Sequence, residues 1–377
     1  MRRFPTIAAA AAVCTAALLV APASPTPPAA GAASSDVPNP AAPENPDNPL
    51  AGRAWGVYKG SAEPTWPAYV QATGDTKEQL KRLALTPKAK FFGAWIPDRE
   101  ITRKVADYIA SATRDDPDAL VQMTLFRMQP WEAEACTRVP TRAESLSYKR
   151  FVRRFAAAIG DTHAAVVVQP DGPIARCAPV YSRLVEYAVR TLEAQPSTTT
   201  YIEMGSADWF GGDPTDAVAT LLADGVAESR GFALDTSHFD GTGAQVRFGA
   251  AIVDGLAAAG VPDAHFVIDT SDNGKPFPGT WWREHGDGHP LGWAPQCTTT
   301  EEDHCVTLGI PPTTDVASPA WPLTPETRAL AAQHVDGYLW IGRPWLFPQG
   351  GSWVQQRALD LVATSPYDPL RQGAATP

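Results

Sequence analysis

Four apolar segments of the chain end on or beside an acid. Ala164–Gln169 runs into Pro170-Asp171, Thr199–Met204 contains Glu203, and the segments at 231–236 and 265–270 carry Asp235 and Asp269. Any one of these carboxylates would serve as a helix N-cap. Four at equivalent ends of successive strands imply a ring of acids on one rim. Twelve Trp residues accompany them, and flat indole faces suit stacking against sugar rings. Acids beside Trp, without a metal motif, suggest glycoside hydrolysis. One acid would protonate the departing oxygen while another helps water attack. Competing chemistries lack their residues. There is no G-x-S-x-G elbow and no G-x-x-x-x-G-K-[ST] loop, and Gly241-Thr-Gly243 lacks a third glycine and a preceding strand. His285-Gly-Asp-Gly-His289 is faintly metal-like, but it lies in a Gly-rich loop. No metal and no cofactor are expected.

The elements that must position these acids alternate in type. Strand-like runs occur at Lys90–Trp95, Val121–Met128, Ala164–Gln169, Thr199–Met204, Gly231–Thr236, His265–Thr270 and Gly337–Ile341. Helix-like stretches lie between them. One opens at an Asp98 cap and runs to Ala112, and another spans Glu144–Ile159 before Gly160. Asp213-Pro214 leads into Ala217–Ala223, and Gln245–Ala259 stops at Gly260. Alternation of this kind predicts parallel strands with right-handed crossovers. The expected fold is α/β, a distorted seven-stranded parallel (β/α) barrel. A doubly wound open sheet is the alternative, but its ligand motif is missing.

The 377 residues suit one large barrel, and a hydrophobic content of 44% is enough for a real core. Lys plus Arg number 31 and Asp plus Glu 41, a net charge of −10, so nothing favours nucleic acid or anionic lipid. Arg2, Arg3, the short apolar run Ile7–Val20 and Ala21-Pro22-Ala23 form a secretion signal, with a second cleavage option near Ala33. The run is too short to span a membrane comfortably, and bulky Val13 before Cys14 argues against lipidation. We therefore expect a signal peptide at 1–33 and a Pro/Ala-rich tether at 34–47. A catalytic barrel follows at 48–366, with a tail at 367–377. The mature protein would be a secreted monomer with no membrane contact. Export leaves Cys136, Cys177, Cys297 and Cys305 in an oxidising compartment, where three pairings are possible. Cys297 and Cys305 share one polar loop and can close a local ring. Zinc is disfavoured because short C-x₂₋₄-C knuckles are missing.

Several motifs together resemble glycoside hydrolase family six. They are Asn48-Pro-Leu-Ala-Gly52, Val168-Gln-Pro-Asp-Gly172, Tyr201-Ile-Glu-Met-Gly-Ser-Ala-Asp-Trp209, His265-Phe-Val-Ile-Asp-Thr-Ser-Asp-Asn-Gly274, Leu308-Gly-Ile-Pro-Pro-Thr313 and Val335-Asp-Gly-Tyr-Leu-Trp340. The resemblance runs in order from Asn48 to about Gly350. It implies a secreted glucanase cleaving β-1,4-glucan with inversion on a distorted seven-stranded barrel, its partner a polysaccharide. Residue by residue, it implies Asp171 as general acid and Cys136–Cys177 as one disulfide. Trp209 would bind sugar, as would Trp55 and Trp281 or Trp282. Ser206 stands where a His is usual and His238 where an Asn is usual. Arg343 replaces a Lys.

The departures concern the water side of the reaction. Ala135 occupies the slot of an Asp that tunes the acid, leaving Glu134 one residue earlier as a substitute. Glu203 replaces the Asp of the next strand, and Gln169 a Glu near the acid. Gln349 stands where the usual base belongs, and an amide accepts no proton. Two readings follow. One is a hydrolase with Asp171 as acid and Glu203 or Glu134 holding the water. The other is a weakened barrel that binds saccharide through Trp55, Trp209 and Trp282 without efficient cleavage.

Overall fold

Fully apolar strand sequences such as Ala164-Ala-Val-Val-Val168 can only be satisfied by burial on both faces, the condition of a parallel sheet covered by helices. The computed structural model describes residues 45, 47–130, 134, 136–175 and 177–368, all within one unit, Ala42–Pro377. The expected leader (1–33), most of the tether, Ala135 and the last nine residues lie outside the described residues.

Seven parallel strands follow one another in sequence order: β1 (Lys90–Gly93), β2 (Val121–Phe126), β3 (Ala164–Val168), β4 (Thr198–Glu203), β5 (Gly231–Leu234), β6 (His265–Asp269) and β7 (Val335–Leu339). Each strand pairs with the next, and β1 and β7 are the sheet's edges. The two edges meet through one backbone hydrogen bond, Ala89 N donating to the Trp340 carbonyl at 2.8 Å. The distorted barrel expected from the sequence is thus observed, with β7 starting two residues earlier than read.

Alternation along the strands sorts side chains into two cores. Phe91, Ala165, Val167, Tyr201, Ala233, Val267 and Leu339 fill the barrel interior. Val166, Val168, Ile202, Phe232, Phe266 and Ile268 face outward against the helices. The jacket includes helices at Ile101–Ala112, Arg142–Ile159, Pro179–Glu193, Thr215–Ala223, Thr242–Ala258, Pro325–His334 and Gln355–Thr364. Thr141 caps the second of these in a reciprocal box with Glu144. Asp98 does not cap the first. That helix starts at Ile101, and Asp98 instead accepts hydrogen bonds from Arg127, Ser147 and Arg150. Three cationic or hydroxyl partners outweigh one N-terminal N–H.

The amino ends of the strands are closed by polar groups. Asp336, fully buried, accepts from Tyr201 Oη at 2.7 Å, from Arg230 Nε at 2.9 Å and from Asn45 Nδ2 at 2.7 Å. Asn45, placed in the expected tether, is therefore bound to the barrel. Among the described residues no helix is long and apolar enough to cross a membrane.

Candidate active site

All four predicted acids lie at the carboxyl ends of their strands, but their surroundings differ. Asp171 follows β3 directly, with a left-handed backbone (φ 55°) and a half-buried side chain, and a short helical turn, Gly172–Ala175, starts behind it. Before it, buried Gln169 accepts from Met128 N at 3.1 Å, so the amide that replaces the usual Glu ties the ends of β2 and β3 together.

Glu203 is 1% exposed. Its two carboxylate oxygens accept from Gly172 N at 3.2 Å and Gly205 N at 2.6 Å. It thereby joins the turn carrying Asp171 to the loop carrying Trp209. Gly205 is required there twice: its φ is 75°, and a Cβ would sit 2.5 Å from the Trp209 ring.

Asp269 is held mainly by backbone donors. Its oxygens accept from the N–H groups of Ser237 (2.8 Å), Ser271 (2.9 Å), Ile341 (3.0 Å) and Gly342 (2.7 Å). Burial raises its pKa against the pull of those donors. Asp235 accepts from Ser206 Oγ, Gln245 Nε2 and Asn273 Nδ2. Burial, then the neighbouring charges of Asp240, Asp269 and Asp208, push its carboxyl well above the usual range. Asp272 is raised likewise, by burial and by Asp269. The rim therefore holds acids in distinct environments rather than four equivalent carboxylates.

His238 is 3% exposed, and its Nε2 lies 3.0 Å from Asp208 Oδ1. Burial alone would raise the Asp208 carboxyl, but the hydrogen bond and charge of His238 outweigh it and hold it at about 2. Trp209 packs edge-on against this imidazole, with ring centroids 5.4 Å apart. Ser206, fully buried, donates to Asp235 and accepts from Gln245 at 2.7 Å, so it orders the rim from below.

The remaining predicted residues are spread more widely. Arg343 stacks its guanidinium 4.7 Å from the Phe91 ring, and burial lowers its pKa. Glu134, exposed, is paired with Arg138 at 2.9 Å beside the Cys136–Cys177 disulfide. Gln349 donates through its side-chain amide to the Ser237 carbonyl. Two expected sugar platforms lie elsewhere. Trp55 bridges to Leu120 ahead of β2, packs into the barrel interior and donates its indole N–H to the Leu50 carbonyl. It sits at the amino ends of the strands, away from the acids. Trp282 is 8% exposed and donates to the His289 carbonyl. Their apolar area drew both indoles into cores.

Sequence reasoning missed one exposed aromatic, Trp95, and left Trp281 as an alternative to Trp282. Trp95, 57% exposed, follows β1 at the acid rim and lies over Gly93, where a Cβ would meet its ring at 2.2 Å. Trp281 is stacked between His285 (4.4 Å) and His304 (4.6 Å). The aromatic type was visible in both cases, but the direction of the ring was not. Both disulfides, Cys136–Cys177 and Cys297–Cys305, are formed. Cys297 and Cys305 group with Glu302 as potential metal ligands, but the disulfide removes both thiolates from that role.

Comparison with known proteins places this architecture. The chain is 28% identical to endoglucanase A of Cellulomonas fimi over 235 residues, which are 61% of this chain and 49% of that one. It is 26% identical to endoglucanase 1 of Streptomyces halstedii over 234 residues, 60% of this chain and 71% of that one. The chain thus spans about half of the first relative. The structure of the endoglucanase Cel6 from Mycobacterium tuberculosis, in complex with methyl-cellobiosyl-4-deoxy-4-thio-β-D-cellobioside, superposes with a TM-score of 0.64. Identity is 26%, with coverage of 83% of this chain and 98% of that one. The sequence profile of the glycosyl hydrolases family 6 matches residues 56–364, which takes in all seven strands and the acids at their carboxyl ends. With family profile, curated relatives and barrel in agreement, this chain belongs to glycosyl hydrolase family 6.

Proposed function

We propose that the protein is a secreted hydrolase of β-1,4-linked glucan that works with inversion, with Asp171 as general acid. The observation that carries this is the position of Asp171. It is a half-buried carboxyl at the carboxyl end of β3, in the motif matched to the family acid, and its turn is held by Glu203. A protonated Asp171 gives its proton to the glycosidic oxygen as the bond breaks. Water approaches the opposite face of the sugar. Glu203 holds it in this scheme, because Glu134 is engaged by Arg138. Trp209 and Arg343 flank the sugar chain. Secretion is supported by the signal-like leader and the two disulfides.

A second reading has its own support. Gln349 binds the Ser237 carbonyl, and both Glu203 oxygens accept backbone N–H groups, so proton-accepting capacity on the water side is reduced. In that case the protein binds glucan and cleaves it poorly. The deciding experiment assays reducing ends and follows product anomers by NMR on soluble β-1,4-glucan, with Asp171→Asn alongside. Release of α-anomers by the parent and none by the variant supports the hydrolase. Binding without release by either supports the second reading.

A further inference from the structure

One cavity has no part in the reaction scheme above. It is an open hollow of about 370 Å³ between the loop after β4 and the start of the helix Thr242–Ala258, at the low end of the ~300–1,000 Å³ of small-molecule sites. Phe248 lines it, 3% exposed and stacked on Phe210 with centroids 5.5 Å apart. One wall is bare backbone at Gly211 and Gly212, where a Cβ would meet nothing within 4 Å. Asp208, Asp240 and Arg247 supply the polar groups.

Those three groups define what fits. Arg247 is exposed and, among the described residues, makes no hydrogen bond or ion pair, so its fork of donors is open. Asp240 accepts from Gly241 N and Gln245 Nε2, one bond per oxygen. Asp208 is bound by His238 and Gly279 N. A carboxylate has about four lone-pair sites, so both acids keep acceptor capacity. A donor fork, two acceptors and an aromatic lining residue match a ring with an apolar face and hydroxyl edges. Two acids against one Arg disfavour an anionic sugar. Asp208 directly precedes Trp209, the residue matched to sugar binding, in the loop after β4, and Asp208 is bonded to His238, against which Trp209 packs.

We propose that this cavity takes a neutral pyranose carried as a side substituent on the glucan main chain, so that a substituted β-1,4-glucan is preferred over a bare one. The proposal rests on the glucan reading of the cleft. Calorimetry should compare cellotetraose with a xylosyl-substituted cellotetraose on the parent, Arg247→Ala and Ala244→Phe, with folding checked by circular dichroism. The parent should bind the substituted sugar about tenfold more tightly, the worth of one or two hydrogen bonds. Both variants should lose that preference and keep their affinity for cellotetraose. Equal affinities in the parent, or a preference that survives both variants, overturns the proposal. Hydrolysis without preference removes the cavity's role alone. Preference without hydrolysis removes the hydrolase alone, and binding of neither sugar removes both.

Discussion

The two ends of the barrel use the same side chain in opposite ways. At the amino end, Asp336 is buried against a cation, Arg230, with Tyr201 and Asn45 completing its shell. At the carboxyl end, Asp235, Asp269 and Asp272 are as deeply buried, yet they accept hydrogen bonds from N–H groups, hydroxyls and amides rather than from cations. Asp336 and Arg230 form a hydrogen-bonded ion pair at 2.9 Å. At the carboxyl end burial and the mutual repulsion of neighbouring acids push the Asp235 and Asp272 carboxyls up, Asp272 despite the charge of Arg357. One end sets a carboxylate against a cation, the other sets carboxyls against one another.

The sharpest way to break this contrast is Asp171→Asn. Turnover of glycosides with poor leaving groups should fall by about 10²–10⁴, with the melting temperature unchanged. A parent-like rate would remove Asp171 from the chemistry. Next is Glu203→Gln, which should lower turnover by about 10² and be partly restored by azide if Glu203 holds the water. A drop in thermal stability of equal weight, without azide rescue, would assign Glu203 to anchoring Gly172 and Gly205. At the amino end, Asp336→Asn leaves Arg230 without its anion and should cost about 3–5 kcal/mol in urea unfolding, with the rate per folded molecule unchanged. The smallest effect is expected from Asp235→Asn. A carboxyl whose folded pKa is raised contributes stability below its unfolded value of about 3.9 and loses it as pH rises through the folded value. The parent should therefore lose stability with rising pH, by up to about 1.4 kcal/mol per pH unit for one such group. The variant should show a shallower slope, and an identical slope would place the titration elsewhere.

The sequence reading reached the strands because a sheet buried on both faces leaves an unbroken apolar signature, as in Ala164–Val168. It reached the acids because strand ends precede turns, and the turns keep their polar residues. It did not distinguish the uses of those acids. Asp269 is saturated by donors from segments up to 73 residues away, and no local pattern announces such convergence. Trp55 and Trp95 look alike in sequence. The first was drawn inward by Leu50 and the barrel interior, and the second was turned outward by its seat on Gly93. Asp98 fits a cap by type, but Arg127 and Arg150, from other parts of the chain, compete for it.

The four bonds to Asp269 also set how the rim moves in time. Loop amides ordinarily exchange their hydrogens with solvent through small, independent openings. Here the amides of Ser237, Ser271, Ile341 and Gly342 share one acceptor side chain, and freeing any of them strands the others on a disturbed carboxylate. Three loops distant in sequence are thereby made a single cooperative unit, which opens as one piece or stays shut.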